Sequence, residues 1–285
     1  MKLSIITINY NNLLGLIKTV TSVLNQKSND FEYIIIDGGS EDGSGDYIKS
    51  IDSSEKQFTF KYLSEADSGI YNAMNKGIKM AKGEYVHFLN SGDWLVDDEV
   101  VVNMLKELNV LIHKGTKPDV FVGNKISIRP NGKLFKGKTN NSIVSSYTFY
   151  RATIDHTSAY IRRSMFDTVG YYDEGLKIVS DWKWYMEAHI KYNAIFRFSD
   201  IYVSYFDTTG ISSMNLKLDK EERRKVLEQV FHPSILCDYD KYTEAIDQME
   251  RIKNYPIIYS MFYFVERVLF KLEKWNIKYL RWKRM

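Results

Sequence analysis

The sequence predicts an α/β protein: a doubly wound mixed sheet flanked by helices, followed by a C-terminal helical extension. Three observations carry this. Leu3–Ile8, Phe31–Ile36 and Tyr85–Leu89 are nearly continuous apolar runs, as expected of strands buried on both faces. Amphipathic helical stretches alternate with these strands, the doubly wound signature. From about Leu216 the pattern is helical only.

The first strand, Leu3–Ile8, stops at the polar turn Asn9–Asn12. A helix over 14–25 follows, with Leu16, Val20, Val23 and Leu24 on one face. The second strand ends in Asp37-Gly-Gly-Ser40, where adjacent glycines allow a tight turn and close backbone approach to a ligand. A helix through Tyr47, Ile48 and Ile51 leads to a third strand, Phe58–Leu63, and to the turn Glu65–Ser68. Ile70, Met74, Ile78 and Ala81 give the next helix its apolar face, with Gly83 as a C-cap. The strand Tyr85–Leu89 then runs into Asn90-Ser-Gly-Asp93, and Asp97 or Asp98 caps a helix through Val101 and Leu108.

Val120–Val122 and Lys125–Arg129 read as short strands, with Pro130-Asn-Gly132 as a hairpin turn. Ser158–Ile161 and Ala194–Tyr205 read as strands, and Ser180 as the cap of a helix over 181–191. Three helices close the chain, and the domain boundary is expected near Met214, giving domains 1–214 and 215–285.

With 285 residues the chain can bury a sizeable core. A net charge of +3 argues against nucleic acid as a partner. Cys237 is the single cysteine, which rules out an internal disulfide and points to a reducing compartment. No apolar run reaches the ~18–20 residues of a membrane span.

In an open α/β sheet, ligands bind beyond the carboxyl ends of the strands, so the turns there hold the candidate residues. Asp37 either caps a turn or accepts an imide N–H of a nucleotide base. Asp67 sits likewise after the third strand, where capping of the following helix is the favoured role. Asp93 is a loop aspartate or holds a magnesium or manganese ion together with diphosphate oxygens and water. Asp181, at a helix start, compensates the dipole or acts as general base on a hydroxyl. His156 contacts phosphate or acceptor, or is a satisfied loop histidine, and Ser212 in Gly210-Ile-Ser212 can bring backbone N–H groups to a phosphate.

Taken in order, these pieces resemble the family 2 inverting glycosyltransferases of the GT-A fold, the nucleotide-diphospho-sugar transferase fold. The resemblance is carried by Ser4–Asn11, Asp37-Gly-Gly-Ser-Glu-Asp-Gly43, Glu65–Asn72, Asn75-Lys-Gly77, Ala81–Tyr85, Asn90-Ser-Gly-Asp93, His156, Gly170–Glu174 and Ser180-Asp-Trp182. It implies that Thr7 and Tyr10 lie against the nucleotide, that Asp37 binds the base, and that Asp67 closes the pocket. It implies Asp93 as the ligand of Mg2+ or Mn2+ and Asp181 as the base, with inversion at the anomeric carbon. Asn90 stands where many members carry an acid, and Ser180 stands where an acid often precedes the base. The implied reaction moves one sugar from a UDP-sugar to a glycan or lipid-linked saccharide in bacterial surface polysaccharide synthesis. A non-catalytic nucleotide-sugar-binding protein and a sugar-nucleotide nucleotidyltransferase are the alternatives. Asn9–Asn12 offers no Gly-rich triphosphate loop for the latter.

The tail combines apolar residues from Ile257 to Phe270 with Arg267, Lys271, Lys274, Lys278, Arg281, Trp275 and Trp282. Either it lies on the inner membrane surface of a cytoplasmic protein, or it packs on the catalytic domain or on a partner chain. Lys278-Tyr-Leu-Arg-Trp282 resembles the motif of processive family members only superficially, which favours single-sugar transfer.

Overall fold

The computed structural model describes residues 2–51, 58–138, 144–208 and 215–282, with side chains described as far as Trp275. Ser212, Met214 and the side chains of Lys278, Arg281 and Trp282 lie outside the described residues. The strands are β1 Leu3–Asn9, β2 Phe31–Asp37, β3 Thr59–Ser64, β4 Tyr85–Phe88, β5 Trp94–Leu95, β6 Val120–Ile128, β7 Leu134–Lys136, β8 Ala159–Arg162 and β9 Phe196–Asp207. The helices of the sheet region are α1 Leu13–Leu24, α2 Ser44–Ser50, α3 Ile70–Met80, α4 Val100–His113, α5 Ser146–Arg151, α6 Met165–Val169 and α7 Ser180–Tyr192. Three helices follow: α8 Leu216–Val230, α9 Pro233–Lys253 and α10 Pro256–Trp282.

The sheet order is β3-β2-β1-β4-β8-β6-β9-β5, with β7 paired to β6. β3, β2, β1 and β4 are parallel, β8 runs antiparallel to both β4 and β6, and β9 runs parallel to β6. The sheet is therefore mixed. All seven residues of β1 and of β2 are buried, because helices cover both faces. Leu16, Val20 and Val23 of α1 pack with Leu3, Ile5, Tyr33 and Ile35. On the other face α3 sits so close that a Cβ at Gly77 would stand 2.5 Å from Ile6 Cγ2.

Several local expectations shift. Val120–Ile128 is one strand with register irregularities around Asn124, where two short strands were expected. Ile70 is exposed, and Tyr71 takes the inward place on α3 beside Met74, Asn75 and Ile78. α3 ends at Met80, and Gly83 serves packing instead of capping: a Cβ there would meet Ser4 N and Leu3 C at 2.6 Å. Ser180 is the first residue of α7 and caps nothing, since its hydroxyl has no partner.

The chain separates into two compact units, Met1–Val230 and Phe231–Met285. α8, expected with the C-terminal region, groups with the first unit. Glu222 on α8 is buried and accepts the backbone N–H groups of Lys177 (2.8 Å) and Ile178 (3.0 Å), tying the helix to the loop before α7. Arg223 stacks on the Trp182 ring at 4.6 Å. In the second unit, α10 exposes Ile258, Met261, Phe262, Val265, Leu269, Leu272 and Trp275. Among the described residues, no helix is long and apolar enough to cross a membrane.

Candidate functional site

The carboxyl ends of β1, β2 and β3 are tied together by Asp37. Its carboxylate accepts Asn9 Nδ2 (2.9 Å), Ser40 Oγ (2.6 Å), Ser40 N (3.1 Å) and Ser64 Oγ (2.7 Å). These donors fill the acceptor capacity of a carboxylate. Burial raises the Asp37 pKa, but the hydrogen bonds outweigh it and hold the group below its ordinary range. Asp37 is fully buried, and these bonds fix the turn. Thr7 is also fully buried: it donates to the Leu89 carbonyl (2.8 Å) and accepts from the Tyr33 hydroxyl (3.0 Å). Its position in mid-strand puts the hydroxyl inside the sheet layer.

The surface above this turn belongs to Tyr10, Gly38 and Asp67. Tyr10 is 66% exposed. A Cβ at Gly38 would lie 2.6 Å from Asp67 Oδ2 and 3.2 Å from the Tyr10 ring. Asp67 also accepts from Gly69 N at 3.0 Å, next to the start of α3. An exposed aromatic ring and a half-buried carboxylate thus meet over the buried Gly38 backbone at the strand ends.

The turn Asn90–Asp93 is pinned from α1. Thr19 Oγ1 lies 2.6 Å from the Asp93 carbonyl and accepts Gly92 N at 3.0 Å, and Gly92 takes φ +105°. Asp93 is 6% exposed and accepts Asp207 N at 3.2 Å. Burial raises its pKa to about 7, although the His156 and Lys125 charges pull the other way. Lys125 is paired with Asp155.

Asp181 opens α7. Its Oδ1 accepts the Tyr71 hydroxyl (2.9 Å), which also reaches the Ile178 carbonyl (2.5 Å), and its Oδ2 faces His156 Nδ1 (3.2 Å). His156 Nε2 faces the Asn90 amide nitrogen at 3.2 Å. Burial works against the ionised Asp181, but His156, Tyr71 and the Trp182 backbone N–H hold its pKa below the ordinary value. Burial also lowers the His156 pKa, and the charges of Asp181, Asp93 and Asp155 reverse that into a net rise. The side chains of His156 and Asp181 are 19% and 14% exposed. Tyr71 lay inside a motif quoted from the sequence but carried no role there. Asn75 completes the support by bonding Tyr172 O (2.9 Å), Tyr172 N (3.0 Å) and Glu174 Oε1 (2.8 Å). His87, buried beside Tyr160, has its pKa lowered to about 4 by burial and stays neutral.

The structure thus brings Asn90, His156, Asp181 and Tyr71 into one bonded chain, with Asp93 within electrostatic reach of His156. Tyr10 and Asp67 stand over the neighbouring strand ends. A 720 Å³ cleft lined by Ser28, Asp30, Val102, Lys106 and Lys114 contains none of these residues; it lies by the amino end of β2. Among the described residues, no three His, Cys, Asp or Glu side chains gather as a metal cage. One buried carboxylate, Asp93, suits a magnesium-like ion only where phosphate oxygens and water complete the shell.

The sequence model of glycosyl transferase family 2 matches residues 4–170. An uncharacterized glycosyltransferase of Mycobacterium tuberculosis is 29% identical over 211 residues, covering 74% of this chain and 76% of that protein. A PGL/p-HBAD biosynthesis glycosyltransferase of Mycobacterium bovis BCG is 26% identical over 201 residues, covering 70% and 74%. Among solved structures, S. aureus TarS with UDP-GlcNAc superposes with a TM-score of 0.61 at 21% identity, covering 80% of this chain. The mannosyltransferase PcManGT of Pyrobaculum calidifontis, solved with GDP-Man and Mn2+, gives 0.55 at 13% identity, covering 72% of this chain. The chain spans 64% and 56% of the length of these two solved chains, less than two thirds of either.

Proposed function

From the premise that this chain belongs to glycosyl transferase family 2, and is a glycosyltransferase of the GT-A fold, we propose that it transfers one sugar from a UDP-sugar, with inversion, to a hydroxyl of a glycan or lipid-linked saccharide. The nucleotide lies against Tyr10 and Gly38, with Asp67 closing the pocket. Asp181 is the base: it removes the proton of the acceptor hydroxyl as that oxygen bonds to the anomeric carbon. The bond from that carbon to the diphosphate breaks on the opposite face, and the nucleoside diphosphate leaves. A divalent cation, Mg2+ or Mn2+, would be held by Asp93 and by the diphosphate itself; when bound, it neutralises charge on the leaving group.

The observation that supports this reading is that Asp181 faces His156 Nδ1 at 3.2 Å, while His156 Nε2 faces Asn90 in the turn that ends in Asp93. The start of α7 and that turn therefore lie side by side, and the Asp93 charge acts on the same imidazole. TarS with UDP-GlcNAc supports a UDP-sugar donor. The exposed apolar residues of α10, with Arg267, Lys271 and Lys274, support peripheral attachment to the inner face of the cytoplasmic membrane. The test is a thermal-shift screen against UDP, GDP and their sugars with Mn2+, followed by NMR of the product anomer. Stabilisation by UDP-sugars and an inverted product bear out the reading; a retained configuration overturns it.

A further inference from the structure

The transfer reaction as proposed uses Asp181 and Asp93 and leaves His156, which faces Asp181, unassigned. Asp181 carries a donor on each oxygen: the Tyr71 hydroxyl on Oδ1 at 2.9 Å and His156 Nδ1 on Oδ2 at 3.2 Å. The carboxylate cannot turn about its Cβ–Cγ bond without losing one of them. We propose that His156 is the positioning residue of the base: it fixes the direction in which Asp181 meets the acceptor hydroxyl, and Asn90 lets it do so in either protonation state. This rests on Asp181 being the base of a glycosyl transfer.

The chemistry of the ring supports the pairing. With Nδ1–H donating to Asp181, the neutral ring has its lone pair on Nε2, which accepts from the Asn90 amide 3.2 Å away. Asn90 Oδ1 has no partner among the described residues. A half-turn of that amide would present this oxygen to the Nε2–H of a charged ring. Asn90 thus serves both states, whereas a carboxylate there would serve the charged ring alone. The other groups facing the pair are the Asp93 and Asp155 charges, neutral His87, and the Tyr172 and Tyr185 hydroxyls. The two carboxylates favour the charged ring, and burial opposes it.

Two measurements test this. The first needs no substrate: imidazole NMR titration of His156 in the wild type, Asp181→Asn and Asn90→Asp. The expected result is an Nδ1–H tautomer whose pKa falls by about one unit or more in Asp181→Asn and rises in Asn90→Asp. The same titration in all three proteins overturns the proposal. The second is the pH profile of transfer in the wild type, His156→Gln and His156→Ala. In His156→Ala the acid limb should move up by about one unit, as Asp181 loses its partner. Turnover should fall on the order of tenfold with KM for the donor unchanged, and His156→Gln, which keeps an N–H donor, should recover part of the loss. A His156→Ala profile that overlays the wild type also overturns it. If the wild type transfers from no nucleotide sugar, the transferase reading fails and the NMR titration alone decides the pair. If His156→Ala does not fold, Asp181→Asn and Asn90→Asp decide it.

Discussion

The Tyr71 hydroxyl lies 2.9 Å from Asp181 Oδ1, which links α3, after the third strand, to the start of α7, 110 residues later in the chain. The same hydroxyl reaches the Ile178 carbonyl at 2.5 Å, so one phenol orients both the loop before α7 and its first carboxylate. Burial and the neighbouring Asp181 charge raise the Tyr71 pKa well above its ordinary value, which keeps it a neutral donor across the working range.

Asp181→Asn keeps the shape and removes the proposed base. Transfer should fall by a factor on the order of 10² to 10⁴, the usual share of a positioned base. Affinity for UDP, measured by calorimetry, should hold within about twofold, because the proposed nucleotide surface is formed by Tyr10, Gly38 and Asp67. Equal loss of binding and turnover would take the role away from Asp181.

Asp93→Asn separates stability from activity. The folded pKa of about 7 lies above the ordinary 3.8, so the folded chain holds a proton that the unfolded chain would release. Stability from this group is full below about pH 4 and is lost as pH rises through about 7. Without its cation, Asp93→Asn should therefore melt above the wild type at pH 8, by on the order of 5 °C, with the gap closing toward pH 4.5. Its activity should be lost. A gap of equal size at both pH values would show that Asp93 is not forced to ionise in the buried state.

Gly38→Ala tests the nucleotide surface. The new Cβ would press Asp67 Oδ2 and the Tyr10 ring, both ends of side chains that can yield. Stability should change by less than about 1 kcal/mol, while UDP affinity should fall roughly tenfold, which corresponds to about 1.4 kcal/mol. Unchanged affinity would move the base away from Tyr10 and Asp67.

The strands and most helices were legible because their cause is local. Runs such as Phe31–Ile36 can be buried on both faces, and Pro130-Asn-Gly132 can only turn, with Gly132 at φ +75°. The pairing of Asp181 with Asp93's neighbourhood was legible only through motif order. What escaped was set by partners far along the chain. Asp37 looks available as a sequence, yet Asn9, Ser40 and Ser64 occupy it from three separate segments. Glu222 lies in a charged helical stretch and is the acceptor for two backbone N–H groups over 40 residues away. Tyr71 rather than Ile70 faces inward because its hydroxyl has a carboxylate to meet, which periodicity alone does not report.

Deleting the chain after Asn254 tests the terminal helix. On α10, Ile258, Met261, Phe262, Val265, Val268, Leu269 and Leu272 recur at helical spacing, and each is at least 40% exposed. Arg267, Lys271 and Lys274 occupy positions between them, with Glu266 and Glu273 as the acids nearby. A helix of this kind buries its apolar side at the acyl boundary and sets its cations among anionic headgroups. The full chain should sediment with vesicles containing phosphatidylglycerol and be released by raised salt in part only, since the apolar contacts persist. The truncated chain should stay in the supernatant, with donor binding retained by the first unit, Met1–Val230. Equal vesicle binding by both chains would place attachment outside α10, and a full-length chain that ignores vesicles but sediments as a dimer would assign the apolar side to a second copy.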